Sequence, residues 1–422
     1  MRPGLPPTPQ PSQIATILAA GAAVAAIAVL LALGVPSGVA AERPCGAEAE
    51  HVWVDANFRV ARRIRDEELV GLTVSRAMRT ISGDRALARA VAAGDLAGIH
   101  QQIGVLLYNH EHVVRIRVLS ATGAVLVDVG GRKVLSPRRG TLRLGGRAVG
   151  SFLFSVQDDN GYRLLVKRLV GADSVMRNAR GHTVMSNIAI GHRALPRIGV
   201  VTVGRLRFFV TTIVARRFPA GRLRISLLFP DPPASLRALS CAQIRADVAG
   251  AIARRVFLEA RTGPGAVIAR GAVHASLILP AAVAAGNVRE IRRSAQRLRQ
   301  AAHIARVRVT APDGSVIVDV GSREALIEPN GVALRNGSGV LIGRVDVSVQ
   351  SVHGFIGVAG YLTRALLLVR DGARQLGGPV AGPPSLPATG PVTYEGARYH
   401  VASFTGALYP SGRATVYSLI PG

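Results

Sequence analysis

Aromatic residues make up only 4% of this 422-residue chain, with a single tryptophan, Trp53. Its cores must therefore rest on Val, Leu, Ile and Ala. Cysteine is nearly absent: Cys45 and Cys241 are the only two. Neither has Cys or His partners at metal-ligand spacing, which argues against a zinc site. Lysine occurs twice, as Lys133 and Lys167, so the 52 basic residues are almost all arginine, against 25 acids and a formal net charge of +27. Arg in place of Lys, with abundant Ala, Gly and Val, is what a GC-rich genome produces, but that habit leaves the shortage of acids unexplained. A field this positive attracts anionic lipid, wall polymer or nucleic acid without specificity. Specific nucleic-acid readout is not expected. GxGxxG, Walker, nucleophile-elbow and metalloprotease patterns are missing. His100, His110, His112 and His303 have no Ser, Cys or acid partner at a recognisable spacing. The sequence thus points away from an enzyme, and it implies neither metal nor cofactor.

What the chain does contain is one domain written twice. "HVVRIRVLSATGAVLVDVG" from His112 reappears as "HIARVRVTAPDGSVIVDVG" from His303, so that Arg115, Arg117, Gly123, Asp128 and Gly130 recur 191 positions on as Arg306, Arg308, Gly314, Asp319 and Gly321. "VGSFLFSVQDDNGY" ending at Tyr162 recurs as "IGRVDVSVQSVHGF" ending at Phe355, and the segment ending at Pro230 recurs as the one ending at Pro421. A period of about 190 residues is too long for a solenoid or propeller blade and matches a globular domain. The expected boundaries are 42–236 for the first copy and 237–422 for the second.

Residues 1–13 are Pro-rich with one charged side chain, Arg2, and Ile14 to Val35 carry no charge. As a helix those 22 residues span roughly 33 Å, enough to cross a bilayer's hydrocarbon. Small residues at Val39-Ala40-Ala41 also suit signal peptidase, so an uncleaved anchor and a cleaved signal peptide both remain open. Either way the chain from about Glu42 is expected outside the cytoplasm, tethered by one helix or secreted. A tail of 13 residues would hold no output domain, so a perceived signal would pass to a membrane partner. Cys45 and Cys241 begin the two copies, and an exported chain with two cysteines points to a disulfide. Their different register relative to the following helices leaves a free or intermolecular thiol open.

Each copy opens with helical spacing: Val52, Ala56, Val60 and Ile64, then Ile244, Val248, Ile252 and Val256. Paired arginines, Arg62-Arg63 and Arg254-Arg255, fall at matching places. A second helix starts after Asp95 and after Asn287, both good N-caps. In copy two Arg289, Arg293 and Arg297 line one face of that helix, either a solvated face or a surface for anionic lipid or polymer. Alternating strands follow, "VVRIRVL" and "AVLVDVG", with a Pro312-Asp313-Gly314 hairpin signal in copy two. A short helix and further strands complete each copy. The order is that of an α+β fold with helices packed on antiparallel sheet.

That order and the "V-x-V-x-x-x-x-G-x-V-x-x-D-V-G" block resemble the extracytoplasmic PAS-like sensor domains called Cache or PDC domains. The resemblance covers both copies and implies two tandem PAS/Cache-like sensor domains, each with N-terminal helices and an antiparallel sheet, after one transmembrane helix. The family's amino-acid signature of Tyr, Arg, Trp and Asp is not visible, so no ligand class carries over. By analogy with Cache clefts, Gln157, Asp158, Asp159, Tyr162, Arg163 and Arg177 are candidates to hold an unknown small cation, amine or zwitterion in the first domain. The alternative is a polar turn with Asp caps for the next helix. Asp128 and Asp319 read as strand-end carboxylates that either receive backbone N–H bonds or pair with the nearby arginines, rather than as catalytic groups. The expected function is a membrane-tethered sensor without its own output domain. The alternative is an envelope protein whose Arg-rich surface holds anionic polymer or lipid.

Overall fold

The computed structural model describes residues 42–109, 113–131, 135, 137–191, 193–302, 304–378 and 385–422. The anchor or signal segment 14–35, the tail 1–13, and His110, His112 and His303 lie outside the described residues.

The first repeat begins with four helices, α1 (Ala49–Val70), α2 (Leu72–Gly83), α3 (Arg85–Ala93) and α4 (Leu96–Asn109). Strands β1 (Arg115–Ser120), β2 (Val125–Gly130), β3 (Arg138–Leu144) and β4 (Arg147–Ser155) form an antiparallel sheet in the order β2-β1-β4-β3. Helix α5 (Asp159–Val170) leads to β5 (Asp173–Asn178), β6 (Thr183–Ser186), β7 (Ile198–Val203), β8 (Leu206–Arg216) and β9 (Arg222–Pro230), ordered β6-β5-β9-β8-β7. The second repeat copies this element for element: α6 (Cys241–Thr262), α7 (Pro264–Ala275), α8 (Ile278–Ala284) and α9 (Val288–Ala301), then β10 (Arg306–Thr310), β11 (Val316–Gly321), β12 (Asn330–Arg335) and β13 (Leu341–Ser348). Helix α10 (Val352–Thr363) then precedes β14 (Leu366–Asp371), β15 (Arg374–Gly377), β16 (Thr389–Tyr394), β17 (Ala397–Ala407) and β18 (Arg413–Pro421).

The α+β class holds, with helices against antiparallel sheets, but each repeat carries two sheets where the sequence led us to expect one. The cause is α5 (and α10), which separates the strands before it from those after it. The local signals fall where expected. Asp95 accepts from the Gly98 amide at 2.9 Å and Asn287 from the Glu290 amide at 3.1 Å, capping α4 and α9. Two further helices intervene in each repeat because Gly71 and Gly263 leave helical geometry with ψ of 175° and 171°, ending α1 and α6 and letting the chain turn into α2 and α7.

Three main cores follow from this layout. In the first repeat α2–α4 cover one face of the four-stranded sheet, burying Ile81, Leu87, Ile99, Ile103, Phe152 and Phe154. The second repeat does the same with Leu279, Ile291, Val307 and Val345. The largest core belongs to both repeats: α1, α5, α6 and α10 pack between the two five-stranded sheets and bury Tyr162, Phe229, Phe257, Phe355, Ile225 and Val369. Each such side chain contributes on the order of 1.5–3 kcal/mol by leaving water. The repeats therefore form one compact unit, Pro44–Gly422. The paired arginines mark the seam reciprocally. Arg63 donates to the Leu362 carbonyl at 2.8 Å and Arg255 to the Leu169 carbonyl at 3.0 Å, each cation meeting the C-terminal turn of the other repeat's helix, where the helix dipole favours positive charge. Cys45 and Cys241 are joined in a disulfide, with Cα atoms 4.8 Å apart. Among the described residues no single helix is long and apolar enough to cross a membrane; a bent pair, Cys241–Ala275 with Ile278–Ala284, passes that test of length and composition only together.

The repeated Arg-Arg-Asp-Gly block ties the two sheets of each repeat together. Arg115 Nε and Arg117 Nη2 reach Asp128 at 2.7 and 2.5 Å, and Arg306 and Arg308 reach Asp319 at 2.6 and 2.7 Å. The Arg115 guanidinium lies 4.7 Å from the Phe218 ring, at the tip of the β8–β9 hairpin; Arg306 lies 5.8 Å from Tyr409 at the equivalent tip. Gly130 sits at φ 127° where a Cβ would strike the Val114 carbonyl and the Arg115 backbone, which is why glycine follows the clamp.

Candidate functional site

The segment from Gln157 to Arg163 builds a helix start. The Asp158 side chain caps α5 by accepting from the Gly161 amide at 2.5 Å. Asp159, Gln157 and Tyr162 are buried, and the Tyr162 hydroxyl donates to the Ala61 carbonyl at 3.2 Å inside the shared core. Burial there pushes the phenol well above its ordinary pKa of 10.0. Arg163 is held by Asn160 on the same helix, at 2.7 Å. Asp158 thus serves as a helix cap, and Asp159, Gln157 and Tyr162 lie in the interior. Of the six, Arg177 lines a well-formed cavity.

That cavity, about 720 Å³, lies on the face of the second sheet opposite the shared core. The strand register explains its lining. Arg177 on β5 stands directly across from Arg224 on β9, which stands across from Val214 on β8; one step along, Ser226 faces Thr212. The turn at Asn178 to Gly181 and the loop through Ala194, Leu195 and Arg197 close over this row. Arg177 is oriented by backbone: its Nη2 donates to the Arg193 carbonyl at 2.6 Å, while its Nε is buried without a hydrogen-bond partner. Among the described residues no carboxylate lines the cavity, and Arg197 and Arg224 have no ion-pair partner. Two like charges directly opposite on neighbouring strands repel, which lowers stability unless an anion lies between them. The arrangement suits a carboxylate or phosphate, where Asp158 and Asp159 suggested a cation, an amine or a zwitterion.

Arg224, Arg197, Thr212 and Ser226 were missed by sequence reasoning. A signal for two of them exists: in "RLRISLLFP" the alternation sets Arg222, Arg224 and Ser226 on one face of β9. The second repeat lacks this row. Arg370 takes the place of Arg177 and stands across from Thr415 in place of Arg224. Tyr417 replaces Ser226, its ring 6.0 Å from the Arg370 guanidinium.

The α9 arginines are exposed. Arg293 and Arg297 share Glu290, at 3.5 and 2.6 Å, so that face is partly neutralised by its own helix. Among the described residues no group of three His, Cys, Asp or Glu could hold a metal ion.

No protein-family model matches the chain. No curated protein matches it either. Among solved structures it is similar to the periplasmic domain of Vibrio cholerae LuxQ, with 9% identity, 43% of this chain and 100% of that chain covered, and a TM-score of 0.31. The ligand-binding domain of the Pseudomonas fluorescens chemoreceptor CtaA in complex with L-serine gives 13%, 43%, 97% and 0.28. That of the Pseudomonas aeruginosa amino-acid chemoreceptor PctC in complex with GABA gives 12%, 43%, 99% and 0.26. These neighbours are a periplasmic domain and two chemoreceptor ligand-binding domains, and each match spans less than half of this chain.

Proposed function

We propose that the protein is an extracytoplasmic sensor whose first repeat takes a small anion, a carboxylate or phosphate, in the Arg177–Arg224 cavity. It is tethered by residues 14–35 and hands its ligand state to a membrane partner. One observation carries the ligand class: two arginines directly opposite across a strand pair, joined by Arg197, in a cavity that no carboxylate lines among the described residues. The disulfide between Cys45 and Cys241 supports an oxidising compartment. The uncharged N-terminal run supports export or anchoring.

The test is a thermal-shift screen of the protein against mono- and dicarboxylates, phosphate and amines, in low and high salt. A ligand at 100 times its dissociation constant adds about 2.7 kcal/mol of stability. The expected result is a carboxylate or phosphate that raises the melting temperature in high salt, with the shift lost in Arg224→Thr, the residue of the second repeat. Stabilisation by amines alone, unaffected by Arg224→Thr, would sink this assignment.

A further inference from the structure

A second cationic hollow lies in the first repeat, built on other arginines than the sensor cavity. Pro137, Arg138 and Arg139 at the start of β3 face Arg216, Arg217 and Arg222 at the tip of the β8–β9 hairpin across a cleft of about 830 Å³. Among the described residues no carboxylate lines it. Arg216 and Arg222 are a directly opposed cross-strand pair, and Arg217 Nε is buried with no hydrogen-bond partner. Arg138 and Arg216 also line an adjoining hollow of about 390 Å³ with Arg65, which makes the cleft a trough open to an extended ligand.

The duplication supplies an internal control for composition. The same strand registers assign each arginine a counterpart in the second repeat. Arg216 and Arg222 correspond to Ala407 and Arg413, and Arg217, which bridges to Leu135, corresponds to Leu408, which bridges to Ile327. Arg138 and Arg139 correspond to Asn330 and Gly331. Four of the five cations are thus replaced by uncharged residues in a segment translated from the same genome. There Asn330 is buried and accepts from Arg270 at 2.6 Å, so the counterpart position serves internal packing. A genome-wide preference for arginine would have acted on both copies alike.

We infer that this trough binds a linear polyanion, a polymer bearing phosphate or carboxylate groups on successive units. Three features favour a chain over a compact anion: the length of the combined hollows, the arginines on both walls, and the exposure of Arg138, Arg139, Arg216 and Arg222. Opposed like charges that cost stability in the free protein are relieved when anionic groups lie between them. The inference stands independently of the sensor cavity, which uses other arginines, although Val214 lines both that cavity and the smaller hollow.

The experiment measures binding of inorganic polyphosphate to the full chain across a salt series, with orthophosphate and phosphatidylglycerol/phosphatidylcholine vesicles as parallel arms. The trough variant R138N/R139G/R216A/R217L installs the second repeat's own residues. The reference variant R289Q/R292Q/R293Q/R297Q removes the same formal charge from α9. Polyphosphate binding should weaken about tenfold or more, with a shallower salt dependence, in the trough variant and far less in the reference. Should the quadruple trough variant fail to fold, R216A/R222Q at two exposed positions, set against R289Q/R292Q with the same loss of two charges, carries the comparison. Equal losses in both variants would mean unspecific attraction and overturn the inference. Binding to the vesicles without binding to polyphosphate would overturn it in favour of a membrane surface. Loss of the small-anion shift in Arg224→Thr with polyphosphate binding intact would separate the two sites.

Discussion

At Asp128 two opposing effects meet. Burial alone would raise its carboxyl pKa, but the hydrogen bonds from Arg115 and Arg117 outweigh it and hold the group below its ordinary 3.8. Asp319 is held down in the same way by Arg306 and Arg308. A carboxylate with a depressed folded pKa stabilises fully above its unfolded pKa of about 3.9, and that contribution is lost as pH falls through the lower folded value. Asp128→Asn and Asp319→Asn should each cost about 2 kcal/mol at neutral pH, because the charge-assisted forks lose the carboxylate charge and one of its two acceptor oxygens. Urea unfolding measures this. The deficit should shrink as the solution is acidified through the carboxylate range; a deficit indifferent to acid would mean that shape, not charge, makes the clamp.

At the scale of elements, Asp158 and Ser351 do one job in the two repeats, capping α5 and α10 by accepting from the Gly161 and Gly354 amides. Asp158→Ala should lower stability by about 1 kcal/mol and leave the anion-induced melting shift intact, whereas Arg224→Thr should do the reverse. Anion binding lost in Asp158→Ala would return that residue to the site. The contrast shows what could be read in the sequence. Caps and turns such as Asp95, Asn287 and Pro312-Asp313-Gly314 are written within a few residues of where they act. The clamp was readable because Arg115, Arg117 and Asp128 lie on adjacent strands of one hairpin and recur together. The second sheet in each repeat was not readable, since strand pairing is set by packing between distant segments. The cavity was hidden for the same reason: Arg177, Arg197 and Arg224 come from a strand, a loop and another strand, and only the register sets Arg177 beside Arg224.

For the molecule as a whole, stability is shared across the seam. Phe257 is fully buried and meets Phe355 and Phe404 edge-on, at 5.2 and 5.6 Å between ring centroids. Phe257→Ala should cost about 3–5 kcal/mol and melt both repeats in one transition, read by calorimetry. Two separate transitions would refute a common core. The disulfide closes a sequence separation of 196 residues, and in the chain-entropy model its loss through Cys241→Ser should cost up to about 5 kcal/mol. Either repeat expressed alone should be unfolded or self-paired, because α1 and α5, or α6 and α10, would expose the face they now bury; light scattering distinguishes these from a stable monomer.

The reciprocal seam, Arg63 to Leu362 and Arg255 to Leu169, is the pattern a two-fold symmetric pair of separate chains would make. Here it is drawn inside one polypeptide, so the protein is a dimer made covalent. Dilution cannot dissociate it, its stoichiometry is fixed at one to one, and the surface that would otherwise recruit a second copy is already occupied. Each half is also released from the need to suit an identical mate. One half can keep an open arginine-lined cavity while the other carries Tyr417 and Thr415 where the first has Ser226 and Arg224, an asymmetry that a true homodimer, encoded once, could never hold.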